Sequence, residues 1–319
     1  MDIVSSAKEG KLMRRAAIDI GTNTVLLLIA DVSDQNNLKI VADIQRAPRL
    51  GEGVDKSKSL SDESCNRVIN VLKEYQQIIM NHHADWKKTV VTATSAVRDA
   101  FNKNRFINKV KKETGLDIRV LTGNEEAEFS FKGAVHLIKN RDLNQKVCMI
   151  DIGGGSTEIV TGKTTGEFKD SVSLDMGSVR YTERFLQIRP VCYKQIEIAV
   201  SEIKKCLSEI HFSLEGYGII SIAGTATSLA GIKAGLTKYD AKAINGMILK
   251  RIEIKQFIDE FSISKPDKME KKYAPFLNGR SDIILAGCLI LYSFLELAKA
   301  EQFTVSTGGL RHGIILENL

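Results

Sequence analysis

Two stretches of the chain are written to one plan: residues 16–31 (AAIDIGTNTVLLLIAD) and residues 148–162 (CMIDIGGGSTEIVTG). Each has an apolar run ending in Ile-Asp-Ile-Gly, a turn rich in glycine and hydroxyls, and a second apolar run. At a constant offset of 132, residues 18–21 fall on residues 150–153 as four identities, and Thr24 falls on Ser156. That period is too long for a solenoid repeat and is about one domain length. Two apolar runs around a tight turn read as a hairpin. The duplication predicts two homologous α/β domains, each opening with a β-hairpin.

The rest of the chain is compatible with this. Apolar residues at helical spacing (Val68, Val71, Leu72, Tyr75, Ile78, Ile79) predict a helix over 61–80. A strand over 89–94, a helix over 101–113 and a strand over 117–121 follow. The second half repeats the alternation, with a helix over 195–210, a strand over 218–223, a long apolar helix over 283–298, a strand over 303–306 and a helix over 311–319. Strands alternating with helices imply α/β layers. The chain has four prolines and no Pro/Gly/Ser linker between its halves, so the domains are expected to pack closely around a cleft.

Composition narrows the function. With 319 residues, 43% of them hydrophobic, two cores are expected. Lys and Arg exceed Asp and Glu by 45 to 39, a mild excess that suits a polyanion, but no long basic block calls for DNA or RNA. The apolar stretch 283–297 is too short and too interrupted (Gly287, Ser293, Glu296) to span a bilayer, so no membrane is expected. It suits a core or an interface, which leaves a homodimer open. Residues 1–15 lack the apolar core of a secretory signal. Five scattered cysteines without C-x-x-C predict reduced thiols in a cytoplasmic protein. Five histidines without H-x-x-x-H leave metal chemistry to oxygen ligands.

The two turns carry the strongest chemical signal. Glycines let backbone N–H groups approach an anion and hydroxyls add donors, so Gly21, Thr22, Asn23 and Thr24, with Gly153, Gly154, Gly155 and Ser156, are candidate phosphate ligands. A single copy would read as a plain hairpin turn. Each copy follows an aspartate that ends an apolar strand, and a divalent cation is a natural partner for such a carboxylate. Asp151 is the better candidate, because Glu158 lies seven residues on, across the hairpin; an exposed strand residue is the alternative for Glu158. A third turn, with Gly224 and Thr225, follows a strand and opens a helix, where free N–H groups favour an anion. N-capping by Thr225 explains it nearly as well. Arg98, in a hydroxyl-rich segment, offers a fork for phosphate oxygens, or an ion pair with Asp99. Arg311 faces phosphate or is merely solvated. Thr122 and Glu125 fit a capping box, and Glu126 beside them is a candidate for activating water.

Together these motifs resemble the exopolyphosphatase/guanosine pentaphosphatase (Ppx/GppA) family of the actin-like ATPase superfamily. The resemblance rests on residues 18–24, 49–54 (RLGEGV), 92–100 (TATSAVRDA), 121–133 (LTGNEEAEFSFKG), 150–160, 222–230 (IAGTATSLA) and 306–313 (STGGLRHG), in family order. It implies two ribonuclease H-like (actin-like) domains around an interdomain cleft, one made of 1–127 with a C-terminal helix 310–319, the other of 128–309. It implies Glu126 as general base, Asp151 and Glu158 as carboxylates associated with Mg²⁺ or another divalent cation, and Gly21 to Thr24, Arg98 and Gly153 to Ser156 around the phosphate. The expected reaction is release of orthophosphate from inorganic polyphosphate; the alternatives are 5′-phosphate removal from guanosine pentaphosphate (pppGpp) or a non-catalytic sensor. Longer members carry an HD-type C-terminal domain, which is not expected here; Lys265, Lys268, Lys271, Lys272 and Arg280 are either a guide for a polyanion or a solvated loop.

Overall fold

The computed structural model describes residues 12–33, 37–138 and 145–317. Residues 1–11 of the N-terminal segment and the last two residues of the expected terminal helix lie outside these.

Two sheets form, and each begins with one of the duplicated hairpins. In the first, β1 (Met13–Ile20) pairs antiparallel with β2 (Val25–Val32), and β2 with β3 (Leu38–Arg46). On the other side of β1, β4 (Val90–Ala93) and β5 (Ile118–Val120) continue in parallel, giving the order β3-β2-β1-β4-β5. In the second sheet the hairpin is β6 (Lys146–Ile152) and β7 (Thr157–Lys163), extended antiparallel by β8 (Phe168–Leu174). Parallel strands β9 (Gly218–Ile222) and β11 (Gln302–Val305) follow on the far side of β6, with β10 (Ile248–Lys250) antiparallel at the edge. The order β8-β7-β6-β9-β11 repeats that of the first sheet with β10 added. The sequence duplication is thus a duplication of topology, and both halves have the ribonuclease H-like strand order.

Each central strand is covered on both faces, which is why it is apolar throughout rather than alternating. Ala16, Ile18 and Ile20 of β1 pack under the helices Asp62–Asn81 and Lys103–Thr114, while Ala17 faces Phe129, Ile314 and Ile315. Likewise Cys148, Ile150 and Ile152 of β6 join a core built on the helix Ile284–Leu297, which is buried along nearly all its length. Its apolar run is a core and not an exposed face. Val147 and Met149 pack on the helix Gly123–Leu137 through Ala127, Phe131 and Ala134. No helix among the described residues is long and apolar enough to cross a membrane.

Helix Gly123–Leu137 runs unbroken through residue 127 and crosses the terminal helix Leu310–Glu317 at glycines. A Cβ on Gly133 would lie 2.1 Å from the Gly309 carbonyl oxygen, and one on Gly313 would lie 2.0 Å from that of Phe129. The crossing brings the helix that carries Glu126 between the two sheets.

Candidate active site

The two glycine turns are held from behind in matching ways. In each the first glycine donates across the turn, Gly21 N to Thr24 O at 2.9 Å and Gly153 N to Ser156 O at 3.0 Å. The carbonyls of the first turn are taken by the segment 49–54: Gly51 N donates to Thr22 O at 2.8 Å and Arg49 N to Asn23 O at 3.0 Å. A Cβ on Gly51 would stand 2.2 Å from Thr22 Cγ2, so that close approach needs glycine. Behind the second turn, Ser178 N takes Gly153 O, Val179 N takes Gly154 O, and Arg180 Nε takes Gly155 O at 2.7 Å. In a trans peptide the C=O and the following N–H point opposite ways. Fixing the carbonyls of residues 153–155 from behind therefore turns the N–H groups of Gly154, Gly155 and Ser156 the other way. A single engaged row of carbonyls leaves a row of donors for an anion.

The turns face a cavity of about 670 Å³ between the halves. Gly21, Thr22, Asn23, Thr24, Gly153, Gly154 and Ser156 border it, as do Gly224, Thr225, Thr94 and Ser95. Gly155, Arg98 and Glu158 stand behind this wall. Gly155 fills the contact between the turns, where Thr22 Oγ1 and Ser95 Oγ lie 3.0 Å apart. Thr225 is not an N-cap: the helix Ala223–Lys233 starts two residues earlier, with Ile222 at the cap position and no side-chain capping bond. The hydroxyl of Thr225 is instead packed at Gly287, since a Cβ there would lie 2.3 Å from Thr225 Oγ1.

Four carboxylates gather at this wall. The Thr122–Glu125 capping box forms as expected, and in the turn after it Glu126, 8% exposed, borders the cavity. Its Oε2 accepts from Arg98 Nη1 at 3.0 Å, and the same Nη1 donates to Leu121 O at 3.1 Å. The fork of Arg98 reaches this carboxylate from behind the cavity wall, while Asp99 is 4.0 Å away. Asp151 and Glu158 are cross-strand partners in register. Ser130 donates to Asp151 at 3.0 Å and Ser173 to Glu158 Oε1 at 2.7 Å, while Glu158 Oε2 has no hydrogen-bond partner among the described residues. Burial pushes all three carboxyls above the usual range, and for Glu126 and Glu158 neighbouring carboxylates push further, against the opposing charge of Arg98. Asp19, the first-hairpin counterpart of Asp151, is also buried and raised to about 7, chiefly by burial, with its Oδ1 unpartnered among the described residues. No group of three or more His, Cys, Asp or Glu among the described residues forms a closed metal cage. Mg²⁺ needs only one or two carboxylates beside water and substrate, so the Asp151–Glu158 pair with its orphaned oxygen fits such an ion.

The sequence misplaced Arg280, missed Tyr239 and left Arg311 open between phosphate and solvent. Arg280, grouped there with the lysines of 265–272, is 8% exposed and lines the cavity. Its Nη1 donates to Ser228 Oγ at 3.2 Å, no carboxylate pairs with it among the described residues, and burial lowers its pKa to about 10. Gly224 makes room for it, since a Cβ there would lie 2.2 Å from Arg280 Nη1. The lysines are elsewhere: Lys265, Lys268 and Lys271 are exposed and Lys272 pairs with Glu260 at 2.6 Å. An arginine placed just before a buried apolar helix was the available signal. Arg311 is not solvated; it lines the cavity, bonded to Asp43 and, at 3.3 Å, to Leu27 O. Tyr239 completes this end of the wall.

Known proteins resemble this chain in sequence and in fold. Residues 28–319 match the family described as the Ppx/GppA phosphatase family. The chain is 33% identical over 313 residues to the bifunctional 3-dehydroquinate synthase/phosphatase of Fusobacterium nucleatum, covering 96% of this chain but 46% of that protein. It is 34% identical to exopolyphosphatase 2 of Mycobacterium tuberculosis, covering 96% of this chain and 98% of that one. To the guanosine-5′-triphosphate,3′-diphosphate pyrophosphatase of Vibrio vulnificus it is 29% identical, covering 95% of this chain and 58% of that protein. It thus spans about half the length of two of these relatives and nearly all of the third. Among solved structures, the Aquifex aeolicus Ppx/GppA protein superposes with a TM-score of 0.79 at 31% identity, covering 96% of this chain and 97% of that one. The repeated topology, the paired glycine turns and these similarities lead to one assignment: the chain belongs to the Ppx/GppA phosphatase family.

Proposed function

We propose that the chain hydrolyses the terminal phosphoanhydride bond of inorganic polyphosphate and releases orthophosphate. One observation carries the reading: the carboxylate of Glu126 borders the cavity beside both glycine turns, with an arginine fixing its far oxygen. The terminal phosphate sits between the turns, on the N–H groups of residues 22–24 and 154–156 and the hydroxyls of Thr22, Thr24, Ser95 and Ser156. Glu126 accepts a proton from a water that attacks phosphorus in line; the P–O bond to the next phosphate breaks, and the shortened chain leaves with the bridging oxygen. Asp151 and Glu158 are the donors that would hold Mg²⁺, which when bound offsets the charge of the phosphate oxygens. Arg280, and the end of the cavity formed by Gly224 and Thr225, receive the negative charge of the next phosphates. Residues 1–127 with 310–319 form one lobe in this reading and residues 128–309 the other.

The size of the cavity, about 670 Å³, and the aromatic side chains of Tyr239 and Phe276 in its wall favour a second reading, the same hydrolysis on guanosine pentaphosphate. The similarity to the Vibrio protein is in line with it. Phosphate release from tripolyphosphate, long polyphosphate and guanosine pentaphosphate, measured side by side with Mg²⁺, tests both. Release from polyphosphate supports the first reading, and release from guanosine pentaphosphate alone supports the second. Tight binding without release from any of them would leave a sensor.

A further inference from the structure

One buried side chain joins the second glycine turn to the opposite half of the molecule. Arg180, on the helix Ser178–Phe185, is 7% exposed. Its Nε donates to Gly155 O at 2.7 Å, its Nη1 to Asp55 Oδ1 at 2.6 Å and its Nη2 to Asp99 Oδ2 at 2.7 Å. Gly155 belongs to the hairpin of the second sheet. Asp55 and Asp99 belong to the half built on the first sheet, each just beyond a segment that touches the first turn: Gly51 bonds Thr22 O, and Ser95 bonds the Thr22 hydroxyl. Arg184 on the same helix reaches Asp55 alone, through Nε at 2.6 Å and Nη2 at 2.7 Å.

We propose that Arg180 is a positioning residue that makes the second turn's row of N–H donors depend on contact between the two halves. A guanidinium presents its donors in one rigid plane and can serve three acceptors at once. Here it orients the Gly155 peptide, and with it the N–H of Ser156, only while its other two arms are held by Asp55 and Asp99. Separation of the halves removes both hydrogen-bonded carboxylates, leaving the exposed Asp175 at 3.7 Å, and releases the carbonyl, so the cradle is complete only in the closed arrangement. This rests on the reading of that turn as a phosphate cradle. Arg184 supplies charge across the same seam without touching the turn, which makes it the internal control.

The test compares Arg180→Gln, Arg180→Lys, Asp99→Ala and Arg184→Gln for steady-state phosphate release and for amide hydrogen exchange in residues 153–158. Arg180→Gln and Arg180→Lys should both lower kcat/KM by roughly 10- to 100-fold, the scale of a small misplacement of binding groups. A lysine reaches a single acceptor and does not rescue. Both should also speed exchange at 153–158 relative to the rest of the chain. Arg184→Gln should stay within about threefold in kcat/KM, with exchange at 153–158 unchanged; these bounds scale down the same misplacement effect. Rescue by Arg180→Lys, or an equal loss in Arg184→Gln, would reduce Arg180 to a general latch and overturn the proposal. Should Arg180→Gln not fold, Asp99→Ala decides: faster exchange at 153–158 supports the coupling, and unchanged exchange refutes it. A wild-type chain that releases no phosphate defeats the hydrolase reading, while the exchange comparison still judges Arg180.

Discussion

Arg98 Nη1 meets Glu126 Oε2 at 3.0 Å on the rim of the cavity, and this contact decides what the buried carboxylate can do. Burial and the neighbouring Glu158 push Glu126 toward its protonated form, which cannot accept a proton from water. Arg98 works against both. Glu126→Gln keeps the shape and one acceptor oxygen but has no basic oxygen. It should lower kcat by about 10²- to 10⁴-fold, the usual contribution of a general base. Binding of tripolyphosphate, followed by calorimetry, should stay close to wild type. Undiminished turnover would remove Glu126 from the mechanism.

The same contact gives a signed prediction for pH. Arg98→Met removes the cation that favours ionised Glu126, so the carboxyl should hold its proton to higher pH. The acidic limb of the kcat/KM profile should therefore move to more alkaline pH, in addition to any fall in its plateau. A limb that stays in place, or moves to lower pH, would show that Arg98 does not set the state of the base.

Asp19 makes a prediction about stability. Its pKa is raised from 3.8 to about 7, chiefly by burial, so the folded state binds this proton more tightly than the unfolded chain does. The stabilisation from that proton is fully present below the unfolded value. It is lost as pH rises through about 7. Asp19→Asn cannot ionise, so relative to wild type it should gain up to a few kcal/mol by pH 8, at roughly 1.4 kcal/mol per pKa unit. Urea unfolding of both proteins between pH 4 and pH 8, without added metal, measures the difference. A difference independent of pH would contradict the assignment.

Asp151 and Glu158, both pushed toward protonation, should release protons when a cation arrives. Mg²⁺ should therefore raise Tm more at pH 8 than at pH 5. Glu158→Gln should abolish most of that gain, and should itself raise the metal-free Tm at pH 8 by removing a buried carboxylate. An equal Mg²⁺ effect in wild type and Glu158→Gln would place the ion elsewhere.

What was legible in the sequence was local. Period and turn chemistry within about 15 residues give the hairpins, and the seven-residue spacing from Asp151 to Glu158 becomes a direct cross-strand pair in the structure. The box from Thr122 to Glu125 was readable for the same reason. Arg98 was a candidate from the sequence but its partner was not readable, because Glu126 is 28 residues away and on a different element. Arg280 was hidden by its lysine neighbours in sequence, although the fold buries it and leaves them outside. Arg180 drew no notice at all, since two of its acceptors lie 125 and 81 residues away. Side chains whose role is to join the halves have no local signature.

Gly155 stands where the two turns meet. Its φ lies outside the left-handed region, so alanine is admissible to the backbone and only space decides. A Cβ there would lie 2.7 Å from Ser95 Oγ and 3.0 Å from Thr22 Oγ1, and these two hydroxyls are already bonded to each other at 3.0 Å. Neither can yield without breaking that bond or moving a turn. Gly155→Ala should therefore push the turns apart, lowering stability by about 1–3 kcal/mol and kcat/KM by about 10- to 100-fold. Adding Ser95→Ala removes the nearer obstacle and should recover part of the stability but not the activity, because Ser95 borders the cavity. Gly21→Ala is the contrast: its Cβ would meet Thr24 O at 3.2 Å, a mild crowding within one turn, and its loss of stability should be smaller. Equal losses in the two alanine variants would mean that Gly155 does not hold the two turns in contact.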